Sequence, residues 1–395
     1  MNLIILSDSF PPKKNSASIQ IYDLCKEFVR KNHKVTVIFP SAEIEKNIES
    51  FFFEGIKVVN FKTKNFVKKN RVFRGISEIS MFLFFIFNFK RIVRFHLDGD
   101  YDGIIWYSPT IFFGPIVRIL KSKYKCPSYL ILRDIFPQWM LDLKLLNKGL
   151  SYYILKFFEL YQYKQADVIG VQSKGNLNYF NKINKNTSIE VLNNWLSDGK
   201  KFKKKLTKKF TYIHAGNLGV AQNPFIFLEM FRKLPEEVKS SIKIIFIGRG
   251  EVFENLSSNY LSLREENIEF LEEVSPKELE LILENCNGGL VFLDRAHKTH
   301  NIPGKFILYI RSGLPVFAHI NFNNDLASLI KKYDLGNFSS SEDLNEIQES
   351  FISFHEKVKE NEFEEQNSIN LFNKEFRVSS IVEKIIFSIE KSISK

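Results

Sequence analysis

Residues 191–215 read VLNNWLSDGKKFKKKLTKKFTYIHA, and this stretch decides how the chain divides. Seven lysines fall between positions 200 and 209, where almost no side chain is suited to a hydrophobic core. The flanking segments are apolar. We therefore predict a linker over residues 197–209, between a domain at 1–196 and a second at 210–376. A length of 395 residues suits two domains better than one core.

The same alternation of apolar strands and amphipathic helices occurs on both sides of this linker. Strands are predicted before it at residues 3–6, 35–39, 56–61, 103–107, 128–132 and 168–171, with helices at 19–31 and 110–121. Strands are predicted after it at 211–215, 242–247, 268–270, 289–292 and 315–318. Continuous apolar strands between helices are typical of parallel sheets covered on both faces. The predicted fold class is α/β, with two Rossmann-like domains facing across a cleft. A C-terminal segment, 377–395, carries a helix whose apolar face packs back on the N-terminal domain.

Composition and motifs exclude several classes of protein. A hydrophobic content of 44% with 26% charged residues describes a folded chain. The three cysteines lie far apart, without metal-ligand spacing, so we expect no metal site and a reducing compartment. The first residues are interpreted as a buried strand, and the longest apolar run, 81–89, covers about half of a membrane-spanning helix. No Walker, HExxH or GxGxxG sequence is present.

The net charge of +11 calls for an anionic partner or a compositional explanation. Basic and aromatic residues gather in segment 61–95, around the apolar run. Such a segment favours an anionic membrane surface, here the inner face of the plasma membrane. A helix that is merely buried remains an alternative. Nucleic acid would use the same charge, but no recognised binding motif is present, so none is expected.

Ligands of doubly wound domains bind at the carboxyl ends of the strands, so the loops there are the candidate site. In the N-terminal domain these loops are 7–18, after the first strand, and 132–139, after the strand at 128–132. Their simplest alternative roles are a helix N-cap at Ser16 or Ser18 and an Arg–Asp ion pair that holds a loop. The candidate residues on this side are Asn15, Ser16, Ser18, Tyr107, Arg133, Asp134 and Trp139.

The C-terminal domain offers three loops, of which AHKTHNIPGKF at 296–306 is the most informative. A helix that begins after Pro303 directs free N–H groups and its positive dipole end outward, where a diphosphate binds well. Glycine loops at 214–223 and 247–251 permit close approach of an anion to the backbone. The alternative is a basic loop with a satisfied histidine. The candidate residues here are Gly216, Asn217, Gly219, Arg249, Lys298, His300, Asn301, Gly304 and Lys305.

These loops resemble those of GT-B glycosyltransferases of the large retaining family. FPP at residues 10–12 resembles the entry loop of that family, and GLPV at 313–316 its GxPV motif. Longer stretches resemble WbuB-type transferases of O-antigen and capsule assembly, which are assigned to N-acetyl-L-fucosamine transfer. Those stretches are SPTIFFG at 108–114, 132–139, YQY at 161–163 with QAD at 165–167, 215–222 and 297–306.

The chain departs from the wider family at the positions where that family binds its donor. The two donor-site glutamates of the family fall on His300 and Leu308, and its Arg and Lys pair falls on Asn217 and Gln222. The diphosphate must then be met by Lys305, Arg249, Lys298 and the backbone near Gly304. His300 would touch the sugar or phosphate.

The resemblance implies transfer of a sugar from a UDP-linked donor to a lipid-linked (undecaprenyl diphosphate) acceptor, without a metal. Catalysis is assigned to Arg133, Asp134, His300 and Lys305. The implied location is cytoplasmic and peripheral on the inner membrane. The missing glutamates leave one alternative from another class, a catalytically silent GT-B scaffold of a polysaccharide assembly complex.

Overall fold

The structure is a computed structural model in which the chain forms two units, Met1–Trp195 with Val378–Lys395, and Leu196–Arg377. It describes all residues except 14, 42, 63–70, 98, 109, 143, 181–186, 200–207, 220–221, 251, 257, 259–266, 295–299, 301 and 395, and the side chains of 71–82. Most of the predicted linker lies outside the described residues. Its start contacts the second unit, because Arg311 donates to the Ser197 carbonyl (3.2 Å) and Arg377 pairs with Asp198 (2.6 Å).

The first unit is built on an eight-stranded sheet. Its strands are Asn2–Leu6 (β1), Lys34–Ser41 (β2), Ile48–Phe53 (β3), Ile56–Lys62 (β4), Gly103–Tyr107 (β5), Ser128–Leu132 (β6), Val168–Val171 (β7) and Ser188–Val191 (β8). The order is β3-β4-β2-β1-β5-β6-β7-β8, with β3 alone antiparallel to its neighbour. The six strands predicted in this half are confirmed. The sequence pattern missed two strands. The last four residues of β3 are exposed and show no alternation, and none of the four residues of β8 is buried.

Helices cover both faces of this sheet. They are Ser16–Arg30 (α1), Arg71–His96 (α2), Gly114–Tyr124 (α3), Gln138–Asp142 (α4), Leu150–Gln165 (α5) and Lys174–Phe180 (α6). The predicted helix at 110–121 begins only at Gly114, because Pro115 in the first turn suits a helix start. One apolar cluster joins α2, α3 and α5 to one face of the sheet, and a second covers the face beneath α1.

The second unit is a six-stranded parallel sheet. Its strands are Phe210–Ala215 (β9), Ile242–Gly248 (β10), Ile268–Glu272 (β11), Gly288–Phe292 (β12), Val316–His319 (β13) and Gly336–Ser339 (β14), in the order β11-β10-β9-β12-β13-β14. Its helices are Phe225–Arg232 (α7), Glu236–Ser241 (α8), Pro276–Leu283 (α9), Gly304–Arg311 (α10), Asp325–Tyr333 (α11), Leu344–Lys359 (α12) and Glu365–Leu371 (α13), with a π-helical turn at Phe372–Phe376. The five strands predicted here are confirmed.

The last helix, Val378–Ile393 (α14), returns to the first unit, as its apolar face predicts. Ile381, Val382, Ile385 and Ile389 are buried in the cluster that also holds α1. None of the described helices combines the length and hydropathy that crossing a bilayer requires.

Candidate functional site

The loops after β9 and β10 form one backbone unit in the second sheet. The Gly216 N–H donates to the Ile247 carbonyl (2.8 Å), and the Leu218 N–H donates to the Arg249 carbonyl (3.0 Å). Gly248, at φ +154°, lies so close that a Cβ there would be 2.1 Å from the Gly216 oxygen. A Cβ on Gly216 would meet nothing within 4 Å. The paired loops therefore present open backbone at the carboxyl edge of the sheet.

Helix α10 begins beside this edge, after β12. Pro303 is its N-cap, and the proline ring offers no hydrogen-bond acceptor to the first N–H groups. Gly304 is exposed, and a Cβ on it would meet no atom within 4 Å. The Phe306 N–H donates to the Pro303 carbonyl (3.0 Å), so this helix end leaves its earlier N–H groups and its positive dipole end for an anion.

Lys305, in the first turn of α10, turns its ammonium towards β9. Its Nζ donates to His214 Nε2 at 2.5 Å. The imidazole is buried at the end of β9 and stacks on Phe292, with ring centroids 5.4 Å apart. Burial, and then the Lys305 charge, lower the pKa of His214 well below its usual value. Burial also lowers the pKa of Lys305 from 10.5 to about 7. His214 is thus a neutral acceptor, and Lys305 is a cation that can lose its proton near neutrality.

The remaining predicted residues of this unit are placed in different surroundings. Arg249 is exposed and pairs with Glu273 at 2.9 Å, so part of its charge is already balanced. His300 Nδ1 lies 3.9 Å from Asp325 Oδ1, at the start of α11. Asn217 is exposed, and the Gly219 N–H is held by Gln222 Oε1 (3.0 Å). Lys298 and Asn301 lie outside the described residues.

In the first unit, the loop after β1 is organised around Asn15. Asn15 Oδ1 accepts from the Ser18 N–H (2.8 Å) and from Ser9 Oγ (2.9 Å). The N-cap of α1 is therefore Asn15, and the alternative that named Ser16 or Ser18 as the cap is wrong. Ser18 is fully buried, whereas Ser16 is exposed.

Arg133, which follows β6, lies inside the unit. Its guanidinium carbon is 4.4 Å from the Trp195 ring centroid and 5.8 Å from that of Tyr107. Burial lowers the pKa of Arg133, and the aromatic faces offset part of that cost. The Tyr107 hydroxyl donates to Gln20 Oε1 at 2.7 Å. These contacts hold Arg133 and Tyr107 in place at the carboxyl ends of β6 and β5.

Asp134 and Trp139 are partly exposed on the loop after Arg133. Phe136 lies beside Trp139, with ring centroids 6.4 Å apart. The functional roles of Arg133, Asp134 and Trp139 stay predictions.

Neither His214, which begins the candidate loop at 214–223, nor Trp195 is among the candidate residues that the sequence analysis named. Both belong to stretches that read as ordinary core, and their partners come from positions 91 and 62 residues away along the chain. Among the described residues, no group of three His, Cys, Asp or Glu side chains is arranged to hold a metal ion.

Comparison with known proteins agrees with this architecture. Residues 197–362 match the family model of glycosyl transferases group 1. Over the whole chain, the fold is similar to sucrose-phosphate synthase from Thermosynechococcus elongatus (TM-score 0.74, 11% identity, 100% of both chains covered). It is also similar to Anabaena HepE in complex with UDP (TM-score 0.67, 13% identity, 99% of this chain and 100% of that chain). WaaG, a glycosyltransferase involved in lipopolysaccharide biosynthesis, is similar too (TM-score 0.65, 12% identity, 98% and 99% covered).

Comparison with curated sequences yields no match. Two parallel-sheet domains of this kind define the GT-B fold. The part that matches the group 1 glycosyltransferase model lies within the second unit and makes up less than half of the chain.

Proposed function

We propose that this chain is a glycosyltransferase, and that it moves N-acetyl-L-fucosamine from a UDP-linked donor to a lipid-linked sugar. The acceptor is carried on undecaprenyl diphosphate at the inner face of the plasma membrane, and the product belongs to O-antigen or capsular polysaccharide. The second unit binds the donor, and the strand-end loops of the first unit bind the acceptor.

The contact of Lys305 with His214 carries the donor part of the proposal. This contact holds an ammonium in the first turn of α10, whose N-terminus no side chain caps. The helix begins at the sheet edge that also carries the two glycine loops. HepE, which shares the fold, has been solved with UDP and with UDP-glucose. WaaG acts in lipopolysaccharide biosynthesis, which supports a polysaccharide product.

The chemistry follows from where charge develops. The acceptor hydroxyl oxygen forms a bond to the anomeric carbon and loses its proton to solvent. The bond between that carbon and the diphosphate breaks, and UDP leaves with the electron pair. Fixed donors aimed at that charge supply a large share of transition-state stabilisation. Lys305, the α10 N–H groups and Arg249 are the donors we propose, with no metal. His300 contacts the sugar or phosphate, while Arg133 and Asp134 orient the acceptor.

The outer face of α2 supports the membrane part. Its exposed residues recur every three or four positions and change from apolar to basic along the helix: Leu83, Ile86, Phe87, Lys90, Arg91, Arg94 and Phe95. Such a face suits an anionic surface. Of the more N-terminal basic residues of segment 61–95, Lys62 is exposed and donates to the Glu45 carbonyl (3.2 Å), and the others lie outside the described side chains.

Purified protein should release UDP from its donor only when a lipid-linked acceptor is present, with UDP-N-acetyl-L-fucosamine the best of a panel of nucleotide sugars.

Gly304→Ala should leave thermal stability unchanged, because nothing in the protein occupies the space of the new methyl group. The same change should weaken UDP binding about tenfold if the diphosphate fills that space. Unchanged UDP affinity would remove the donor from this helix end, and no transfer with any donor would favour the scaffold alternative.

UDP affinity should also fall as pH rises above about 7. The free protein loses the Lys305 proton near that pH, whereas a bound diphosphate favours the charged lysine. One proton is then taken up on binding, so affinity declines by up to about tenfold per pH unit. Calorimetric titration between pH 7 and 9 measures this slope. Lys305→Met should bind weakly with no such slope, and an equal slope in that variant would contradict the assignment.

A further inference from the structure

Helix α5 of the first unit exposes a continuous apolar stripe. Leu150 and Phe157 are 78% and 63% exposed, and Tyr153 and Ile154 between them are also exposed. The spacing i, i+3, i+4, i+7 puts all four on one side of the helix. Tyr152 and Tyr163 on the other side are buried. A stripe of this size over two turns is unusual on a surface that faces only water.

The charges along the stripe are mostly positive. Residues 142–167 contain four lysines and three acidic residues, Asp142, Glu159 and Asp167, and Asp167 is paired with Lys121 of α3 (2.7 Å). Glu159 is fully buried and pairs with Lys156 at 2.6 Å, so it contributes no negative charge to the surface. Lys144, Lys148 and Lys164 are exposed. Arg118 of α3 adds a further cation, since it donates to the Tyr161 hydroxyl (3.3 Å).

The stripe belongs to the same helical layer as the outer face of α2. Buried residues of α2, α3 and α5 pack in one apolar cluster against one face of the sheet. The opposite layer, with α1 and α14, packs in a different cluster. The apolar and basic residues of α2 and α5 therefore cover the same side of the unit.

We propose that α5 docks the first unit on an anionic bilayer. Its apolar stripe enters the region between headgroups and acyl chains, while the surrounding lysines contact anionic headgroups. A second copy of this chain is a poorer occupant, because a two-fold contact would bring two rims of like charge together. The inference rests on the membrane location in the proposed function, and it adds the helix that supplies the apolar anchor.

The test is flotation of the full-length protein with vesicles of phosphatidylglycerol and phosphatidylcholine, and with phosphatidylcholine alone. The wild type should bind the anionic vesicles, less tightly as salt is raised. Tyr153→Gln with Phe157→Gln should lower the affinity about tenfold or more. Glutamine is a good helix former, so α5 should persist, which circular dichroism and thermal unfolding check.

Phe387→Gln is the matched control. Phe387 is 64% exposed on α14, in the opposite layer, so vesicle affinity should not change. If the wild type binds anionic vesicles and the α5 variant binds them equally well, the inference is wrong and the membrane location stands. If the wild type does not bind, the membrane location itself fails. A wild-type dimer that the α5 variant dissociates, with vesicle binding unchanged, would assign the stripe to a second copy.

Discussion

Lys305→Met is expected to lower turnover about 10²- to 10³-fold, the usual cost of removing one fixed donor from a developing anion. The loss should appear in kcat as well as in UDP affinity, because the charge on the leaving diphosphate is largest in the transition state. Initial rates with saturating donor and acceptor measure it. Lys331→Met, which replaces an exposed lysine of α11 in the same unit, is the control and should keep wild-type rates. Full activity of Lys305→Met would dispose of the leaving-group role.

The same variant should show a characteristic dependence of stability on pH. The Lys305 pKa is about 7 in the folded protein and near 10.5 in the unfolded chain. Between these values the unfolded state binds more protons, so the wild-type free energy of unfolding rises with pH. Below pH 7 the wild type carries the full cost of a buried ammonium. Lys305→Met should therefore gain most relative to the wild type below pH 7, and the gain should shrink towards pH 10. Denaturant unfolding at several pH values measures the difference.

Gly248→Ala is expected to cost about 3 kcal/mol or more of the stability of the second unit. Its backbone is in a region that side chains rarely adopt, and the added Cβ would lie 2.1 Å from the Gly216 carbonyl oxygen. That oxygen belongs to the backbone, so no side-chain rotation can relieve the clash. The loops after β9 and β10 would have to separate, and UDP binding should be lost with them.

Gly216→Ala separates the cost of the backbone conformation from the cost of the steric clash. Gly216 also has a positive φ, +114°, but its Cβ would enter open space. This variant should lose only the backbone contribution, about 1–2 kcal/mol. The comparison uses a probe of the second unit, such as protection of the β9 and β10 amides from hydrogen exchange. Equal losses in both variants would show that the contact between the loops is unimportant.

Much of the fold follows from the sequence because parallel strands buried on both faces are nearly continuous apolar runs. Residues 103–107 and 242–247 are examples, and both are strands in the structure. The lysine-rich stretch after Trp195 marks the change of unit for a related reason, since it holds little that a core could bury. The edge strands β8 and β14 are short and less apolar, and β3 ends in three exposed phenylalanines without alternation, so the pattern does not reveal these three strands.

Some features of the candidate site also follow from the sequence, and others depend on tertiary contacts. The open end of α10 follows from Pro303 and Gly304, because proline and glycine constrain the backbone locally. The partner of Lys305 could not be foreseen, since His214 is 91 residues earlier and resembles an ordinary strand residue. Arg133 reads as a loop cation, yet it is buried against Trp195, whose position depends on the packing of the whole unit.

Local patterns were therefore enough for the α/β class, the two sheets, the position of the strand-end loops and the basic character of the chain. These depend on periodicity, composition and backbone preference within a few residues. Tertiary structure alone decided that Lys305 has a depressed pKa, that Gly248 must be glycine and that the α5 stripe stays uncovered. Burial and contact between distant segments set these properties, and neither is encoded in the spacing of neighbouring residues.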